Sequence, residues 1–223
     1  MRRLTSLAES ANQIYHTGGF VSLVRRVLAF LLSLLFEYRN YWIYEYALES
    51  LRGVNEADFM PRIDHFDLKV VSSNHEADQL ETEGFEFRSH ITNARERLYS
   101  GAIAFCIFVG QELANIGWVA LSQQAKDSLP DPPFRVDFPG NEACGGSIWT
   151  KSKYRRKGFR LYNRFKRFEF LLEKGIVTNR SAIAKNNIAS LEGYKRFPPT
   201  RAYAEGRYLR VLWWKSWKER PLP

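Results

Sequence analysis

Cysteine is scarce, with Cys106 and Cys144 the two in 223 residues. That excludes a disulfide framework and a cysteine-rich zinc site, and leaves at most one bridge. A reduced, cytosolic chain is the simpler expectation. The four histidines, His16, His65, His75 and His90, show no ligand spacing, so no metal is expected. Long apolar runs are lacking too. Within the apolar stretch Phe20–Phe36, the longest charge-free part, Val27–Phe36, has 10 residues, against the roughly 18 needed to span a bilayer as a helix. Nothing near the start has the small-residue cleavage pattern of a secretory leader. Internal repeats and low-complexity segments are absent.

What is present is a core-forming composition, 45% hydrophobic and 15% aromatic, which excludes wholesale disorder. Cations number 33 and acids 24, a net charge of +9. A polyanionic partner is the first inference from such a balance. The excess is local, however. Residues 151–167 hold nine cations and no acid in seventeen positions, and without them 24 cations face 24 acids. Any function must account for that window.

The punctuation of the chain predicts mixed α/β structure. As a helix, Phe20–Phe36 carries one narrow polar stripe (Ser22, Arg25, Arg26, Ala29, Ser33, then Glu37) on a wide apolar surface that must be covered. Tyr41–Tyr46 is aromatic and β-rich. Gly53 and Pro61 mark a boundary, giving an extension over 1–58 and a larger domain over 59–223. Phe66–Val71 reads as a strand, and Asn74–Glu83, with Asn74 as its N-cap, as a helix. The apolar runs 101–109 and 113–121, parted by Gly110-Gln111, predict a hairpin. Four prolines make Ser122–Asn141 a long loop of the kind that carries specificity. Ala143–Thr150 is a strand with Gly145-Gly146 inside it. Arg160–Lys174 is a helix whose stripe of Leu161, Phe165, Phe168 and Leu172 should pack inward and leave its cations outside. A strand over 176–184, a helix over 187–197 and a β-rich tract over 203–214 complete the order.

Arg155, Arg156, Lys157, Gly158, Phe159 and Arg160 fall where a strand passes through a basic turn into a helix. Free N–H groups and the dipole at a helix N-terminus favour an anion, and a glycine lets backbone approach it. The Gly-Lys-Ser/Thr ending of a P-loop and the three glycines of a dinucleotide fingerprint are both missing.

Arg155-x-x-Gly158-x-Arg160 resembles the pyrophosphate loop of the GNAT superfamily of N-acyltransferases, Arg/Gln-x-x-Gly-x-Gly/Ala, with Arg160 at the second small position and Ser152 where a proline is usual. Asn187-x-x-Ser190-x-x-x-Tyr194 resembles that family's second signature, and Pro198-Pro199 replaces its following Gly-Phe. The likeness spans roughly residues 60–215. It implies a GNAT-like, mostly antiparallel mixed sheet with splayed strands and flanking helices. It also implies direct transfer of an acetyl group from acetyl-CoA to an amine, with no metal. Backbone at Ile148, Trp149 and Thr150 would pair with the pantetheine arm, the 155–160 loop would hold the pyrophosphate, Asn187 would touch the arm, and Tyr194 would protonate the leaving thiolate. Glu142, on the alternating face of Cys144, Gly146 and Ile148, is the candidate base. Cys106 reads as a buried thiol, and Cys144 as a remote alternative nucleophile.

Two other readings stand beside this one. A basic aromatic protein for nucleic acid or an anionic membrane would use Phe159, Tyr162, Phe165 and Phe168 between the cations, although nucleic acid is the disfavoured partner. A catalytically degenerate CoA binder is the second. The acceptor, a small-molecule or protein amine, is not specified. The 20–36 helix and the segment Trp213-Trp214-Lys215-Ser216-Trp217-Lys218 suit either a peripheral membrane contact or a homodimer contact.

Overall fold

The computed structural model describes residues 35–197 and 200–222. Of the expected helix over 20–36, residues 20–34 lie outside them, as do Pro198-Pro199, and Phe36 already belongs to a strand. The described residues fall into two compact units, one of residues 35–39 with 207–218, the other of 40–206 with 219–222.

Eight strands form one sheet: β1 (Phe36–Ala47), β2 (Asp67–Val71), β3 (Ile103–Val109), β4 (Glu112–Ala120), β5 (Glu142–Thr150), β6 (Thr178–Ala184), β7 (Thr200–Val211) and β8 (Trp214–Pro221). Their order is β2-β3-β4-β5-β6-β1-β7-β8. The β2–β3, β3–β4, β4–β5 and β1–β6 pairs are antiparallel, and β5–β6 is parallel. Helices α1 (Asn74–Thr82), α2 (Ala94–Tyr99), α3 (Gln123–Asp127), α4 (Phe159–Glu173) and α5 (Ile188–Lys195) flank it. This is the mixed, mostly antiparallel architecture that the GNAT resemblance implies.

Local chemistry explains most of these elements. A two-residue turn with Gly110 at φ 60° joins β3 to β4, as twisted hairpins require. Both strands are buried almost throughout. Ser73, rather than the expected Asn74, caps α1 by accepting from the Glu76 N–H. Gly175, at φ 75°, ends α4. A short helix, α3, interrupts the expected 122–141 loop, with Ser122 capping it.

The sequence boundary at 58/59 does not coincide with these units. β1 pairs with β6 from Tyr41 opposite Ala184 to Ala47 opposite Thr178, so residues 40–47 are sheet. Tyr46 is buried and stacks on Phe168 at 4.6 Å. Phe59, at the expected boundary, stacks on Phe165 and Phe197 at 5.2 and 4.5 Å. These aromatics build the main core with Leu48, Phe105 and Leu171.

In the smaller unit, the Leu212 N–H bonds the Leu35 carbonyl at 2.6 Å, and Glu37 pairs with Arg39 and Arg210. Trp213 and Trp214 are exposed. Among the described residues no helix is long and apolar enough to cross a membrane.

Candidate functional site

β5 and β6 part early. Their register runs only from Glu142 opposite Thr178 to Cys144 opposite Arg180. Beyond it, β5 follows β4, with an irregularity between Ile116 and Trp118. Ser147 takes φ 49° there, strain that a β-bulge concentrates. Asn115 fixes the end of β5, its amide donating to the Trp149 carbonyl at 2.9 Å and to Thr150 Oγ1 at 2.8 Å. One edge of β5 therefore opens inside the sheet.

The basic turn follows. Gly158 is the N-cap of α4 at φ 94°, and no side chain caps the helix. Its own carbonyl accepts from the Leu161 and Tyr162 N–H groups at 2.9 and 3.2 Å. The first helical N–H groups precede these and have no partner within the helix. The Lys157 carbonyl accepts from the Arg62 N–H at 2.8 Å. A Cβ on Gly158 would stand 3.1 Å from Pro61 Cα. Arg156 is also left-handed, at φ 63°.

A cleft of about 910 Å³ joins the strand end to this turn. Ile148, Trp149, Thr150, Arg155, Arg156, Gly158, Phe159 and Arg160, all expected at the cofactor site, line it. Residues of α5 and the segment Asp58, Phe59, Met60 and Arg62 close it. That segment falls at the expected boundary, and only long-range packing places it here. Six cations (Arg62, Arg155, Arg156, Arg160, Lys195, Arg196) face two acids, Asp58 and Glu192, along the walls.

The remaining expected residues do not line the cleft. Asn187 caps α5, accepting from the Ser190 N–H at 3.2 Å. Tyr194 is buried, with its ring 3.7 Å from the Arg164 guanidinium and 5.2 Å from the Tyr44 ring. Glu142 sits at the closed end of β5, held by Arg180 at 2.5 Å and by the Asp137 N–H at 2.7 Å. Cys106 and Cys144 are free and buried, and burial pushes the Cys144 thiol up to about 12, far from a thiolate nucleophile at neutral pH.

One carboxylate that the sequence did not single out stands over the bulge. A Cβ on Gly146 would collide with the Asp131 carboxylate, and Ser147 Oγ donates to Asp131 Oδ2 at 3.5 Å. Enclosure raises the Asp131 pKa, although Lys126 and Arg97 pull it back. Among the described residues no group of three His, Cys, Asp or Glu side chains is placed to hold a metal.

The nine cations of the basic window divide into distinct roles. Lys151 and Lys153 both pair with Glu112, and Lys166 with Glu56 and Glu169. Arg155, Arg156 and Lys157 stay exposed. Arg164 and Arg167 overturn the expectation that α4 keeps its cations outside: they are 1% and 3% exposed. Phe165 and Phe168 are buried as expected, but Leu161 and Leu172 are only half-buried, so the buried face includes the arginines.

Hydrogen bonds from Lys151, Lys153 and Tyr154 bring the Glu112 carboxyl down to about 2. A folded-state value below the unfolded one stabilises fully above the usual carboxylate range, and that stabilisation disappears as pH falls toward 2. Glu112→Gln is expected to move the acid-unfolding midpoint, followed by circular dichroism from pH 5 to 2, to higher pH. An unmoved midpoint would mean that this anchor of the basic turn contributes nothing.

The sequence matches no family profile and no curated protein. Solved structures align over most of it. An acetyltransferase from the GNAT family of Colwellia psychrerythraea aligns at TM-score 0.48 and 12% identity, over 83% of this chain and 61% of that one. A functionally unknown conserved protein from Staphylococcus epidermidis gives 0.48 and 12%, over 83% and 66%. A Drosophila protein gives 0.48 and 12%, over 85% and 57%. The chain thus spans 57–66% of the length of these three proteins.

Proposed function

We propose that this chain is an acyl-CoA-dependent N-acyltransferase, an acetyltransferase in its simplest form. One observation carries the reading: the internal edge of β5 leads into an uncapped helix N-terminus with Gly158 at its apex, in a cleft with six cations and two acids. A ligand with an extended amide arm and a diphosphate matches both features. The arm would add to β5 as a strand does, and the diphosphate would meet the first N–H groups of α4 beside Arg155 and Arg156.

The chemistry follows from where the arm would end. An acceptor amine attacks the thioester carbonyl, so a C–N bond forms and the C–S bond breaks. The amine loses a proton to a base, and the leaving thiolate takes one from an acid. Asp131 is the better placed of the two candidate carboxylates. It lies over Gly146 and Ser147, where β5 opens, whereas Glu142 is tied at the closed end. Tyr194 is the acid that the GNAT resemblance implies, although it is buried behind the cleft wall against Arg164.

Calorimetric titration of acetyl-CoA at low salt tests the reading, with micromolar binding expected. Failure to bind any acyl-CoA, with steeply salt-dependent binding to oligonucleotides instead, would replace it by the nucleic-acid reading. Binding without turnover of any amine would leave a CoA-binding protein.

A further inference from the structure

Two buried arginines of α4 lack what a buried arginine normally has. Arg88, also buried, pairs with Asp78 at 2.6 Å and with Glu81. Among the described residues no carboxylate lies within ion-pair distance of Arg160, Arg164 or Arg167. The Arg167 Nη1 donates to the Trp118 carbonyl at 3.0 Å, and Arg160 Nη2 to Ser190 Oγ. Four guanidinium nitrogens, Nε of all three arginines and Nη1 of Arg164, are buried without an acceptor. Tyr194 covers one face of the Arg164 guanidinium and cannot satisfy N–H groups directed along its edge. Burial pushes the pKa of Arg164 and Arg167 down. Charges held this way are costly unless an anion joins them.

The three residues follow one side of α4, at spacings of four and three, from the cleft to the root of the splay. Arg160 lines the cleft. Gly193 lines it too, and a Cβ there would stand 3.6 Å from Arg164 Nη1 and 3.7 Å from Leu161 Cδ2, so that arginine lies directly behind this part of the wall. At the other end, a Cβ on Gly145 would lie 2.9 Å from Arg167 Nη1 and 3.1 Å from Asn179 Oδ1. Gly145 comes directly after the last β5–β6 pair.

We propose that the Arg160–Arg164–Arg167 row receives a carboxylate carried into the splay by one of the two substrates, either at the end of the acyl chain or on the acceptor amine. The inference rests on the acyl-CoA reading above and narrows it to acid-bearing substrates. A carboxylate supplies the acceptors that the orphaned N–H groups need and the charge that the row lacks.

Calorimetry on the full chain tests both sources. In the first arm, succinyl-CoA is compared with acetyl-CoA. In the second, with CoA already bound, γ-aminobutyrate is compared with butylamine. One acid-bearing probe is expected to bind at least about ten-fold tighter than its neutral counterpart, and the arm that shows this names the source. Arg164→Met should abolish the preference while the Kd for CoA itself stays within about two-fold. Should Arg164→Met fail to fold, Gly193→Val puts a side chain between cleft and arginine and should reduce the same ratio. CoA binding with no preference in either arm, or a preference that survives both variants, overturns the inference alone. No CoA binding at all overturns the acyl-CoA reading, and the inference falls with it.

Discussion

Gly158→Trp is expected to abolish measurable acetyl-CoA binding, a loss of at least about 100-fold or 2.7 kcal/mol. Two features act together. Gly158 sits at φ 94°, a region that costs a substituted residue about 1–3 kcal/mol. Its Cβ direction meets backbone, 3.1 Å from Pro61 Cα and 3.5 Å from the Met60 carbonyl. Backbone cannot rotate away as a side chain can. The loop must therefore shift, and with it the first N–H groups of α4. Titration calorimetry beside a thermal melt separates the two effects. A folded variant that binds acetyl-CoA with wild-type affinity would remove the turn from the cofactor site. Gly158→Ala gives the graded case, with the same φ strain but little bulk, and should lose part of the affinity.

Asp131→Asn should lower kcat by about 10²–10⁴, the range for removing a positioned base, and should remove the acidic limb of the pH–rate profile. Enclosure raises the Asp131 pKa, so in the unmodified protein that limb lies above the usual carboxylate range. Activity rises with pH as the carboxyl deprotonates, because only the carboxylate can accept the amine's proton. Glu142→Gln serves as the comparison. It breaks the pair with Arg180 and should change melting temperature more than the profile. Tyr194→Phe should lower kcat and leave the acidic limb in place, which separates a proton donor from the base. If Glu142→Gln flattens the acidic limb and Asp131→Asn leaves it, the two carboxylates exchange roles.

The strand, turn and helix around Gly158 were legible because their signals are local: an apolar strand with two glycines, then cations, then an apolar stripe. The same holds for the 103–120 hairpin. Asp131 was not legible, since its role comes from a loop folding back onto Gly146, fifteen positions later. Neither was the 58–62 wall of the cleft, which falls at the expected boundary and gains its place through Phe59 packing on Phe165 and Phe197. Arg164 and Arg167 misled for a different reason. Amphipathic patterning assigns every charge to the solvent side. In α4 the buried face takes two charges because Gly117 and Gly145 leave a slot in the sheet for Arg167. The tyrosine needed to cover Arg164 comes from another helix.

The short parallel pairing of β5 with β6 has a consequence for what can enter. An unpaired strand edge at the rim of a sheet is open to any chain and invites aggregation. Here the edge begins beyond Cys144 and Arg180 and is bounded by strands of one sheet on either side. A folded neighbour cannot reach it, but a slender, extended arm can. The gap thus works as a gauge of ligand girth, admitting a thread and refusing a ribbon.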